Sequence, residues 1–118
     1  MSPNSNHGRT YLRFLHLVQA LRTLPTFPAI DALEERFLNV LAASWHAGEQ
    51  VSVLEAMRLL PDVSATTAHR RLKALRSKGL VRLEVDPLDS RIKYVTPTDV
   101  ARNHFARLGQ LLEKARVS

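Results

Sequence analysis

Apolar residues recur at helical spacing in four stretches of the chain and alternate with polar ones in a fifth, and this pattern predicts the elements. Tyr11, Phe14, Leu15, Val18 and Leu21 mark a helix from Arg9 to about Arg22, closed by Pro25 and Pro28. Residues 1–8 are small and polar without periodicity and read as a disordered tail. Ile30, Leu33, Phe37, Val40, Leu41 and Ser44 form one stripe of a second helix, from about Ile30 to Ala47, with Asp31, Glu34 and Glu35 in its first turns and Gly48 ending it. Ser52-Val-Leu-Glu55 is a capping box for a short third helix reaching Leu60. Pro61-Asp-Val63 turns the chain, and Ser64 caps a fourth helix that continues to Lys78, with Gly79 just past its end. Ala65, Ala68, Leu72 and Leu75 are its expected buried stripe, so Thr66, Thr67, His69, Arg70 and Lys73 face away from the core.

After Gly79 the period changes from 3.6 to 2. Residues 80–85 and 92–96 alternate as two strands of a hairpin around the turn-forming loop Asp86-Pro-Leu-Asp-Ser90, with Arg91 at its exit. A last helix starts at Thr96 to Thr98, with either threonine as cap, and is expected to bury Val100, Phe105, Leu108, Leu111, Leu112 and Ala115. Two helices joined by a turn and followed at once by a hairpin describe a winged helix-turn-helix, a mainly α fold with a small β-hairpin wing (α+β). One domain is expected over 9–118, with a core at 30–96 and terminal helices at 9–24 and 97–116.

Composition narrows what this fold can do. At 118 residues and 45% hydrophobic content the chain supports one core. Zero cysteines exclude disulfides, thiolate metal sites, cysteine nucleophiles and thiol-oxidation sensing. No cofactor or metal is expected: His7, His16, His46 and His104 lack partners at metal-ligand spacing and read as structural. Only four glycines are present, with no phosphate-binding loop, no H-E-x-x-H and no nucleophile elbow, so an enzyme is not expected. The N-terminus lacks a signal-peptide stretch and no run approaches the about 20 apolar residues of a membrane span. A soluble, cytoplasmic protein without a membrane partner is expected.

The net charge is +6, and its location matters more than its size. Between Ser64 and Lys93 eight basic side chains (Arg70, Arg71, Lys73, Arg76, Lys78, Arg82, Arg91, Lys93) face three acidic ones (Glu84, Asp86, Asp89), a local surplus of five. A polyanion is the expected partner, and the helix-and-hairpin placement points to double-stranded DNA. Thr66 and Thr67 are short enough to meet base edges or phosphates, and Arg70 one turn on can take guanine O6 and N7 bidentately. His69 can read a base or a phosphate, and Ser64 suits a phosphate oxygen. Arg91 can enter the minor groove, while Arg71, Lys73, Arg82 and Lys93 suit the phosphate backbone.

The stretch from Thr67-Ala-His69-Arg70 through Leu75-Arg-Ser-Lys-Gly79-Leu-Val-Arg82 to Asp89-Ser-Arg91 resembles the MarR family of bacterial transcription regulators. The likeness covers about Ala29 to Ala106. Its motifs there are T-x-[ST]-R opening the recognition helix, R/K-L-x-x-x-G-L-[VI]-x-R joining helix to wing, and D-x-R in the wing. His69 stands where the family usually has Ser or Thr, Ser90 where it often has a second Arg, and Pro97 in place of the Leu of an L-T pair that closes the wing; the single helix after the wing implies a reduced dimerisation lobe. The resemblance implies a homodimeric, sequence-specific DNA-binding regulator in which Asp89 orients Arg91 and Ser90 lies beside them, and it leaves room for a small-molecule effector.

Plainer readings accompany each residue. Arg71, Arg76 and Lys78 also complement the C-terminal dipole of their helix, Ser64 is a cap in any case, Asp89 can simply shape its turn, and Trp45 reads as packing. The alternative to a DNA-binding regulator is a winged-helix module for protein interaction or RNA association, because the fold alone does not fix its ligand. On the first helix, Tyr11, Phe14, Leu15, Val18 and Leu21 exceed the stripe a surface helix needs. With Phe105, Leu108 and Leu112 of the last helix they are the expected surface of a two-fold homodimer.

Overall fold

A computed structural model describes residues 3–116 of the chain. Among the described residues five helices and a three-stranded sheet follow one another as α1 (Pro3–Arg22), α2 (Ala32–His46), β1 (Val51–Ser52), α3 (Val53–Ala56), α4 (Ala65–Ser77), β2 (Val81–Val85), β3 (Lys93–Pro97) and α5 (Asp99–Ala115). They divide into two compact units, residues 30–101 and residues 1–29 with 102–118. Among the described residues no helix is long and apolar enough to cross a membrane.

In the unit 30–101, α2 begins at a capping box that the apolar stripe conceals. Asp31 accepts the Glu34 N–H at 2.7 Å while the Glu34 carboxylate accepts the Asp31 N–H at 3.1 Å, so the helix starts after Asp31 instead of at Ile30. Its end is a Schellman turn. Gly48 adopts φ 82°, its N–H reaches the Trp45 carbonyl, and the Glu49 N–H reaches that of Ser44. The predicted Ser52/Glu55 box is present, but α3 is a single turn, and residues 57–60 continue as looser turns because Pro61 pushes Leu60 out of the α region. At α4, Ser64 accepts the Thr67 N–H at 3.1 Å, and a second Schellman turn closes on Gly79 at φ 75°. Leu80 and Leu75, the apolar pair of that turn, are both fully buried.

The core of this unit is Phe37, Leu38, Leu41, Ala56, Leu60, Ala68, Leu72, Leu75, Leu80, Val81 and Val95. Ala65 is exposed, contrary to the expected stripe, because it sits in the first turn where α4 overhangs the core. The sheet order is β1-β3-β2, with both pairings antiparallel. β1, only two residues long, pairs Val51 with Val95 and Ser52 with Tyr94, and is too short to show an alternation. Trp45 is half-buried and donates its indole N–H to the Val95 carbonyl at 2.9 Å, so its packing position also fastens α2 to the central strand. Thr98 settles the cap of α5: its hydroxyl donates to the Gly79 carbonyl at 2.6 Å and accepts the Ala101 N–H at 3.2 Å.

In the other unit α1 starts at Pro3, so residues 3–8 are helical where a disordered tail is expected, and residues 1–2 lie outside the described ones. Proline is tolerated in the first helical turn, where its missing N–H has no acceptor, and the strong helix formers downstream extend the helix back through the polar segment. Phe27 packs edge-on to His104 at 5.0 Å between ring centroids, and the Phe105 ring lies tilted to that of His104 at 5.8 Å. His104 is buried, and so is Ala115; Leu112, expected inside, is exposed, as is Val100 of the unit 30–101, also expected inside. Tyr11, Leu12 and Leu15 are exposed on α1, whereas Phe14, Val18, Leu21, Phe105 and Leu108 are half-buried. A groove of about 480 Å³ runs between Tyr11 and Phe14 on one side and Leu112 and Arg116 on the other.

Candidate nucleic-acid interface

Helical geometry sorts the polar residues of α4. With Ala68, Leu72 and Leu75 buried, the opposite face carries Thr66, Arg70 and Lys73, all exposed. Among the described residues Arg70 and Lys73 make no ion pair or hydrogen bond within the chain. Ser64 and Thr67 are tied to each other, since the Ser64 hydroxyl donates to the Thr67 hydroxyl at 3.0 Å while also capping the helix. His69 is exposed and points along the other edge of α4.

Two basic residues of this stretch turn inward. Arg71 is half-buried and pairs with Asp31 at 2.8 Å, which separates it from the Thr66/Arg70/Lys73 face. Lys78 donates to both carboxylate oxygens of Glu34, at 2.9 and 2.7 Å, in addition to lying at the C-terminal end of its helix. Both partners are far away in sequence, so composition alone counts these cations with the surface ones. Arg82 is exposed beside Glu84 on the same strand at 3.0 Å.

The wing is held by two aspartates. Asp86 was legible only as a turn former, yet its Oδ1 accepts the N–H groups of Leu88 at 2.8 Å and Asp89 at 3.1 Å, and its Oδ2 accepts the Tyr94 hydroxyl at 2.7 Å. Its own N–H donates to the Ile92 carbonyl at 2.9 Å, closing the loop. Asp89 accepts Arg91 bidentately: Nε donates to Oδ1 at 3.0 Å and Nη2 to Oδ2 at 3.1 Å, with the Arg91 backbone N–H also on Oδ1. The Arg91 side chain is 88% exposed while its guanidinium is directed by Asp89. Ser90 and Lys93 are exposed beside it. Arg91, Lys93 and Tyr94 share an open cleft of about 600 Å³ with His69 and the Ser52–Glu55 turn, so the wing and one edge of α4 border the same concavity.

The same contacts set the acid response. The Tyr94 hydroxyl, then the loop N–H groups, hold the Asp86 carboxyl below the usual range; the Arg91 guanidinium does so for Asp89, the Glu34 backbone N–H for Asp31, and the Arg36 side chain for Asp62. Hydrogen bonding to Asp86 raises the Tyr94 hydroxyl in turn. A carboxyl depressed in the folded state contributes stability that is complete above its unfolded value and is lost as pH falls through the folded one. The thermal midpoint, followed by circular dichroism, is therefore expected to be level from pH 7 to about pH 5 and to fall below about pH 4. Asp86→Asn removes part of that slope, and a midpoint unchanged down to pH 3 would contradict it.

No protein-family model and no curated protein sequence matches the chain. Solved structures do. The heme sensor PefR from Streptococcus agalactiae, bound to heme, aligns over 97% of this chain and 76% of its own at 19% identity and a TM-score of 0.61. The transcriptional regulator Tm0710 from Thermotoga maritima aligns over 89% and 66% at 15% identity and 0.60, and a mutant MarR from E. coli over 92% and 71% at 22% identity and 0.56. The chain has the MarR-type winged-helix fold. Against PefR in its complex with heme and carbon monoxide, the match covers 64% of this chain and spans only 51% of PefR's length. In the MarR-type arrangement α3 and α4 are the helix-turn-helix and the β2–β3 hairpin is the wing. These neighbours are named as regulators and sensors, and none as an enzyme.

Proposed function

We propose that the chain is a DNA-binding transcriptional regulator of MarR type that recognises specific duplex sequences as a homodimer, in the cytoplasm and without chemistry of its own. The observation that carries this reading is the pairing of an exposed Thr66/Arg70/Lys73 face on α4 with an exposed, Asp89-directed Arg91 on the wing. In this reading α4 enters the major groove, where Thr66, Thr67, His69 and Arg70 meet base edges, and Arg91 enters the adjacent minor groove beside Ser90. Lys73, Arg82 and Lys93 meet phosphates, and the cap at Ser64 presents first-turn N–H groups to another. Asp89 acts by orienting Arg91, and Arg71 acts indirectly by seating α4 on α2.

The homodimer is supported by the exposed Tyr11 and Leu15 of α1 and Leu112 of α5, which with the half-buried Phe14, Val18, Leu21, Phe105 and Leu108 form an apolar surface in one unit. A small-molecule effector is compatible with this assembly: the neighbour PefR is a heme sensor by name, and 6-hydroxynicotinic acid regulates DNA binding by BpsR of Bordetella bronchiseptica.

Selection of bound sequences from random duplexes tests the reading. The expected outcome is an inverted repeat with half-site centres about 34–36 Å apart, bound by a particle that sediments as a dimer and with affinity that falls steeply with salt. Absence of enrichment, or binding indifferent to salt, overturns it in favour of a protein-interaction or RNA-associated module.

A further inference from the structure

Leu88 is the most solvent-exposed large apolar side chain described, at 96%, and it stands at the tip of the wing. A leucine left in water by a flexible loop means little, but this one is held. Asp86 binds its N–H directly, Pro87 fixes the backbone before it, Tyr94 anchors Asp86 from the neighbouring strand, and the Ile92 N–H donates to the Asp89 carbonyl at 3.0 Å behind it. The turn therefore presents one apolar side chain in a defined direction. The carboxylate oxygens of Asp86 and Asp89 are turned onto the loop N–H groups, Tyr94 and Arg91, and their two charges are matched by Arg91 and Lys93, which are the exposed charges beside Leu88 and the ones a phosphate-lined groove would meet.

We infer that Leu88 is an apolar wedge that the wing sets into the minor groove of duplex DNA, next to Arg91. This rests on the DNA-binding reading above and adds to it a means of discrimination. The walls of the minor groove are lined by sugar C–H groups, which a leucine contacts without leaving a polar group unpaired. Arg91, fixed by Asp89 three residues from the tip, supplies the attraction to the narrow groove that brings the wedge in. Apolar side chains seated this way part neighbouring base pairs, and the step they part most readily is a flexible pyrimidine–purine one. Leu88 thus makes the wing select for deformability, where Arg70 selects for base identity.

The test compares the wild-type chain, Leu88→Ala and Leu88→Lys on the duplex recovered by selection, carrying either a TpA step or an A-tract under the wing. Leu88→Ala is expected to bind the TpA duplex about tenfold more weakly, to bind the A-tract duplex within about twofold of wild type, and to keep the same salt slope, since no phosphate contact is lost. 2-Aminopurine at the TpA step should brighten with wild type and stay quenched with Leu88→Ala. The side chain is solvated, so both variants should melt as wild type does. Equal binding of wild type and Leu88→Ala to both duplexes overturns the wedge, as does tighter binding with a steeper salt slope for Leu88→Lys, which would place the tip against phosphates. A change confined to self-association also overturns it and makes the tip a protein contact. If wild type binds no duplex the regulator reading falls with it, whereas duplex binding indifferent to Leu88 removes the wedge alone.

Discussion

Replacing Arg70 with alanine is expected to weaken binding to the selected duplex by about ten- to a hundredfold, the worth of one bidentate contact to a base pair, while leaving the melting curve unchanged. Arg70 is exposed and engages nothing else among the described residues, so its removal breaks no contact inside the protein. It follows Thr66 and Thr67 by one turn, on the face opposite Ala68, Leu72 and Leu75. The loss should be confined to the cognate sequence, and the preference at one base pair should relax. Lys73→Ala provides the contrast: a smaller loss, uniform across sequences, with a salt slope shallower by about one. Should Arg70→Ala weaken every duplex equally, the side chain is a phosphate contact and recognition lies elsewhere on α4.

The largest stability effect is expected at Lys78. Its ammonium group donates to both oxygens of Glu34, whose side chain is 3% exposed; its own is 35% exposed. Lys78→Ala leaves that carboxylate inside with, among the described residues, the Asp31 N–H as its remaining partner. Removing one member of a buried pair costs about 3–5 kcal/mol, and the partial hydration of Lys78 lowers the expectation to about 2–3 kcal/mol. If Lys78 served only the dipole of α4, the cost would stay below about 1 kcal/mol. Urea unfolding separates the two, and adding Glu34→Gln to Lys78→Ala should restore part of the loss because the stranded charge is gone.

How far the sequence carries depends on the range of the interaction concerned. Ser64, Gly79, the Ser52/Glu55 box and the turn residues 86–90 are local devices whose partners lie within a few positions, and the helix-turn-helix and hairpin are legible from them. The Glu34–Lys78 contact joins residues 44 positions apart, and the Arg71–Asp31 contact is similarly remote, so neither cation could be told from a surface one. The Asp31/Glu34 box was masked by Ile30, whose place on the apolar stripe extends the helix by two residues on paper. β1 is visible only through its pairing with β3. On the wing, the spacing of Asp89 and Arg91 makes their contact foreseeable, whereas the role of Asp86 depends on Tyr94 eight residues away.

Asp31 and Glu34, joined by their capping box, hold α4 at Arg71 and again at Lys78, about two turns further on. The buried Ala68, Leu72 and Leu75 set the azimuth of α4, and a single polar anchor would add resistance to rotation about its long axis at one point only. Two, spaced along it and gripped by the same turn of α2, resist that rotation. Neighbouring helical residues differ by about 100° in azimuth, so a roll of that size would exchange Arg70 for Arg71 on the outward face. The acidic first turn of α2 therefore reinforces the presentation of Arg70 that the buried stripe of α4 sets, although it touches none of the residues presented.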